Sequence, residues 1–171
     1  MFHQIKVGVI LLIIFSSNVF SQTPQNQSYP TIKDMIYILN NVNAENADEF
    51  FAKKGFKFHS TREKEAVKNF RFYKDAPYKT ISLNILKEKT FGISYETHSN
   101  SEYLRLKSTI KANDFIYVSS DTYNGKMILR YKKQNLSLNI WLALRNSKNV
   151  YYIDISDEDF INSNKIFENW I

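Results

Sequence analysis

The chain contains no cysteine. That excludes the disulfide staples on which small extracellular domains often depend, along with thiol chemistry and a cysteine-linked lipid anchor. Stability must then come from a hydrophobic core, and a chain of this length can bury one. Glycine is scarce, with 4 in 171 residues. Gly55, Gly92 and Gly125 stand far apart, so no glycine-rich loop can cradle a phosphate. Histidine is as sparse, and neither an H-E-x-x-H pair nor a G-x-S-x-G elbow occurs.

Long apolar runs are missing, with one short exception. Lys6 precedes Val7 to Phe15, and Val19-Phe20-Ser21 follows. This reads as a secretory signal peptide, Met1–Ser21. Its apolar stretch is far shorter than the roughly 20 residues a membrane-crossing helix needs. The expectation is an exported protein, periplasmic or secreted, with no transmembrane span after cleavage. The net charge is +6, with Lys6 part of that surplus. The remaining basic residues are dispersed, which favours a protein or an anionic envelope component as partner. Export argues against nucleic acid.

Residues 22–30 are polar and carry Pro24 and Pro30, as a flexible leader would. Thr31 with Asp34 forms a capping-box variant ahead of Met35, Ile36, Leu39 and Val42 at helical spacing. Similar openings recur at Ser99 to Glu102 and at Ser156 to Asp159. Three helices are predicted, and Ala44 to Phe51, closed by Gly55, adds a short fourth.

Strand patterns follow each of the first two caps. Ile81-Ser82-Leu83-Asn84-Ile85 is echoed by Leu136-Ser137-Leu138-Asn139-Ile140, the second copy continuing to Leu144. Phe56–Phe58, Phe70–Tyr73 and Phe91–Tyr95 have counterparts in Phe115–Val118, Met127–Tyr131 and Tyr151–Ile155. Asn124-Gly125 is a strong hairpin turn, while Thr61 to Lys68 reads as a longer charged connection. The expected fold is α+β: two tandem repeats, 31–98 and 99–171, each a helix plus a four-stranded antiparallel meander. A C-terminal helix follows, and the helices lie on one face. Each half alone would be only marginally stable, so 31–171 should be a single domain.

Alternation sorts the strands into two faces. Ile81, Leu83, Ile85, Phe91, Ile93 and Tyr95 point one way, with Leu136, Leu138, Ile140, Leu142, Leu144, Tyr151, Ile153 and Ile155. The other face carries Ser82, Asn84, Ser94, Ser137, Asn139, Trp141 and Tyr152, with Arg71 and Tyr73. Large aromatics among small polar residues are enriched where proteins meet partners. Trp141, Tyr152, Asn139, Asn84, Arg71 and Tyr73 are therefore the candidate binding residues, the alternative being that the C-terminal helix or the leader covers the aromatics.

No residue set stands out as catalytic, as a metal site or as a cofactor site. His59 and His98 could meet near Glu96, but two loop histidines are the plainer account. Glu63, Glu65, Asp121, Asp154 and Asp157 could pair for glycoside chemistry, yet nothing in the sequence brings two of them together.

In its order of elements the chain resembles the β-lactamase inhibitor protein family, whose tandem helix-plus-four-strand repeats carry disulfides that this chain lacks. It is also similar to small exported proteins with paired α+β repeats. The resemblance implies a broad sheet surface that binds another protein. The expectation is thus an exported, non-enzymatic binding protein that uses its polar sheet face. The alternative is a small envelope hydrolase with carboxylate or histidine chemistry.

Overall fold

The structure, a computed structural model, describes residues 30–75 and 78–166. The expected signal segment, the leader up to Tyr29 and the last five residues from Phe167 lie outside them. The described residues fold as α+β. Helices α1 (Ile32–Asn41), α2 (Ala47–Ala52), α3 (Asn100–Ser108) and α4 (Glu158–Ser163) accompany eight strands. The first four strands are β1 (Lys57–Lys64), β2 (Val67–Lys74), β3 (Lys79–Leu86) and β4 (Lys89–Thr97). The second four are β5 (Ile116–Tyr123), β6 (Lys126–Lys133), β7 (Leu136–Arg145) and β8 (Lys148–Asp157).

The strands form one sheet, not two, in the order β1-β2-β3-β4-β8-β7-β6-β5, and every neighbouring pair is antiparallel. β4 and β8 join at its middle, where Ser94 stands opposite Asp154. Outward from that pair come Ser82 and Asn139, then Arg71 and Arg130, then Ser60 and Ser119. The echoed pentapeptides are therefore two residues out of step, since Ser137 pairs with Ser156 rather than with Asp154. A two-residue offset preserves which face each side chain takes.

The helix openings follow from their caps. Thr31 accepts from the Asp34 amide at 3.1 Å, and the Asp34 carboxylate accepts from the Thr31 amide at 2.8 Å. Ser99 caps α3, while α4 is capped by Asp157 rather than Ser156. Gly55 follows α2 at a φ of +78°.

The main core gathers Ile32, Met35, Ile38 and Leu39 of α1 with Phe51 of α2 and Leu106 of α3. Against them pack Phe72, Ile81, Leu83, Ile93, Tyr95, Leu138, Ile140, Ile153 and Ile155 of the sheet. Burial of each such side chain contributes roughly 1.5–3 kcal/mol. α1 contacts β4 and β8, and α2 contacts β1.

Three expectations need correction. Thr61 to Lys68 is not a long connection: β1 runs to Lys64, and Glu65-Ala66 makes a two-residue turn with both φ positive. The residues are charged because β1 is an exposed edge strand, where charge guards against unwanted pairing. Phe91 leaves the main core, because a bulge in β4 makes it the one extra residue between Gly92 and Thr90, the partners of Asn84 and Ile85. It packs instead with Val67 and Leu86 in a second cluster, against which Phe160, Ile161 and Ile166 lie. So α4 does not share the site of the other helices. Leu142 and Leu144 are exposed, as are Tyr117 and Met127, on the half of the sheet far from α2.

Candidate functional site

Two rows cross the polar face of the sheet. One runs Tyr73–Thr80–Glu96–Tyr152–Trp141–Ile128, and the other Arg71–Ser82–Ser94–Asp154–Asn139–Arg130. Strand alternation alone puts these side chains on one surface.

The rings of Trp141 and Tyr152 stack with centroids 3.8 Å apart and planes within 6°. The Trp141 indole Nε1 donates to an Asp154 carboxylate oxygen at 2.7 Å. The Lys126 ammonium sits 4.7 Å from the indole centroid. Tyr152 is buried, and its hydroxyl accepts from Arg145 Nη2 at 2.6 Å. Arg145 Nη1 also reaches Glu96 Oε1 at 3.0 Å, and Arg71 Nη2 approaches Glu96 Oε2 at 3.3 Å. Asn69 donates to the Asn84 side-chain oxygen at 2.7 Å. Gly92 leaves room for that pair, because a Cβ there would come within 3.3 Å of the Asn84 amide nitrogen.

Electrostatics follow from burial. Desolvation pushes the Asp154 carboxyl above its ordinary range, against hydrogen bonds from Ser94 and Trp141 that favour the charged form. Tyr152 is raised as well, first by burial and then by the nearby Glu96 charge. Asn139 is buried, and its side-chain oxygen has no hydrogen-bond partner among the described residues.

All six candidate residues are found on or beside this face, but they do not form a single cluster. Trp141, Tyr152 and Arg71 belong to the network around Glu96. Asn84 pairs with Asn69, and Tyr73 packs edge-on against His59 at 5.7 Å. Reading the sequence missed Arg145, and it named Glu96 only beside the histidines, not on the polar face; the two lie 49 residues apart. Alternation could have found both: Glu96 continues Gly92 and Ser94, and Arg145 continues Asn139 and Trp141.

His59 lies on β1, and His98 follows the end of β4, three strands further in. Among the described residues no group of three or more His, Cys, Asp or Glu side chains is arranged to hold a metal ion. No helix among them is long and apolar enough to cross a membrane. No protein-family profile, curated protein or solved structure matches the chain.

Proposed function

We propose that the chain is an exported, non-enzymatic binding protein that engages a protein or envelope component through the polar face of its sheet. The observation that carries this reading is the ordered network from Trp141 through Tyr152 and Arg145 to Glu96 and Arg71. Side chains locked by their own neighbours lose little freedom when a partner arrives, which favours binding. The network spans β2, β4, β7 and β8, so a rigid sheet positions it.

We also read the two meanders as copies of one unit. The hairpins β1–β2 and β5–β6 both close on two residues with positive φ. Both carry a bulge on the outer strand, at His59 and at Val118, opposite the step from Arg to an aromatic. Shared irregularities of this kind favour duplication more than shared alternation does.

The binding reading is tested by placing a photocrosslinking residue at Ser137 on the polar face and, as a control, at exposed Lys111 near α3. The expected result is a discrete adduct in envelope extract from Ser137 alone, with the same partner, once purified, binding the unlabelled chain. Equal capture from both positions, or none from Ser137, would overturn it.

A further inference from the structure

The two arginines at the centre of the polar face share one buried carboxylate. The Glu96 side chain is 8% exposed, and its two oxygens are taken separately, one by Arg145 and one by Arg71. The Arg145 side chain is 52% exposed and that of Arg71 is 31% exposed. One negative charge thus lies beneath two positive ones, leaving a surplus cation at the surface. A guanidinium carries five N–H donors. Among the described residues Arg71 spends one nitrogen, Nη2, on Glu96, while Arg145 uses Nη1 on Glu96 and Nη2 on Tyr152. The remaining donors belong to side chains whose positions Glu96 already fixes.

The surroundings sharpen the charge. Asp154, the other carboxylate at the centre of this face, is buried and engaged by Trp141. Lys126 adds a second cation beside Trp141. Tyr152 covers an indole face by stacking, and the Lys126 ammonium lies over the same ring system, where a sugar ring would otherwise stack. An open aromatic platform is therefore missing, and the usable chemistry is that of the arginines.

We infer that Arg71 and Arg145, held over Glu96, form a receptor for the carboxylates of an acidic protein segment. This rests on the reading of the polar face as a binding surface and names the chemistry of its partner. Arginine forks match planar carboxylates bidentately, and two of them already converge on the Glu96 carboxylate. An incoming Asp or Glu side chain balances the surplus cation. A broad sheet face also suits a protein surface better than a small free anion.

The test is binding of a fluorescently labelled hexaglutamate peptide to the exported chain at roughly physiological salt, where distant surface charges are screened. The unaltered chain should bind it. Arg71→Gln combined with Arg145→Gln should weaken binding by about tenfold or more, as loss of charge-assisted hydrogen bonds implies. The control, Lys33→Gln with Lys111→Gln, removes the same charge elsewhere and should leave affinity within about twofold. Should the Gln pair not fold, Arg71→Lys with Arg145→Lys keeps the charge, removes the forks and should still weaken binding.

No binding to the unaltered chain, or equal loss in the control, would overturn the inference. So would full displacement of the peptide by inorganic phosphate or by vesicles containing phosphatidylglycerol. If the Ser137 adduct forms equally well in the Gln pair, the face binds its partner by other means; the inference fails while the broader reading stands.

Discussion

Trp141 and Tyr152 face each other directly across β7 and β8, ring against ring, and each hands its polar atom to a different charged residue. Trp141 reaches Asp154, and Tyr152 reaches Arg145. The pair therefore stiffens the polar face as well as decorating it. Trp141→Ala should destabilise the chain by about 2–4 kcal/mol, through lost packing and a buried Asp154 carboxylate left without its indole donor. Chemical denaturation checks this. A loss below about 0.5 kcal/mol would mean that the stack contributes little to the fold.

Asp154 and Asp157 lie on the same strand and should respond to pH in opposite directions. Burial raises the Asp154 pKa, so its native-state proton is held more tightly than in the unfolded chain. Its contribution is fully present below the ordinary carboxylate pKa and is lost as pH rises through the raised value. Asp154→Asn, which can still accept from Trp141, should raise the Tm at neutral pH, and the gain should vanish near pH 4 and below.

For Asp157, burial acts upward but is outweighed by Lys89, the Phe160 amide and Asn135, so its pKa is lowered. It stabilises above the ordinary carboxylate pKa and loses that contribution as pH falls through the lowered value. Asp157→Asn should therefore lower the Tm at neutral pH, with the deficit shrinking in acid. Thermal melts across pH 3 to 7.5 (roughly spanning the carboxylate range) read both effects. Slopes of the same sign for the two variants would contradict the assignment.

Much of the fold was legible because alternation has a period of two and tolerates errors of register. Leu83 and Leu138 are both fully buried even though their pentapeptides are out of step by two. The caps at Thr31 and Ser99 were legible because a side-chain acceptor three residues before an amide is a local signal. Other features were not local. Glu65-Ala66 lacks the usual turn residues, and only the β1–β2 pairing drives it into the left-handed region. Alternation puts Phe91 in the main core, and the bulge moves it to the second cluster; Leu142 and Leu144 look like core because alternation cannot reveal which end of a strand a helix reaches. Glu96 and Arg145 meet only because β4 and β7 flank β8.

The turns give a direct check on that account. Ala66 has φ +65° and Ser147 φ +59°, each in a two-residue hairpin. A non-glycine residue in the left-handed region costs roughly 1–2 kcal/mol. Glycine removes that strain but is more flexible when unfolded, so Ala66→Gly and Ser147→Gly should each give a net gain of up to about 1 kcal/mol. Loss of stability in either variant would show that its turn is not of this kind.

The buried pair Lys79–Glu102, at 2.6 Å, sits under α3, with Thr97 donating to the same carboxylate at 2.9 Å. Removing Lys79 takes the lysine counter-charge away from the buried Glu102 carboxylate. Lys79→Met should cost about 3–5 kcal/mol by denaturation, while replacing both residues with apolar ones should cost much less. Equal costs for the single and double variants would show that the pair is not coupled.

The central claim is that the arginines over Glu96 are where the partner's carboxylates land. The most direct measurement follows the Nε–H resonances of Arg62, Arg71, Arg105, Arg130 and Arg145 by NMR while hexaglutamate is added. Arg71 and Arg145 should shift together and saturably, with Arg62 and Arg105 unmoved. Shifts confined to Arg62 or Arg105, with Arg71 and Arg145 unchanged, would contradict it.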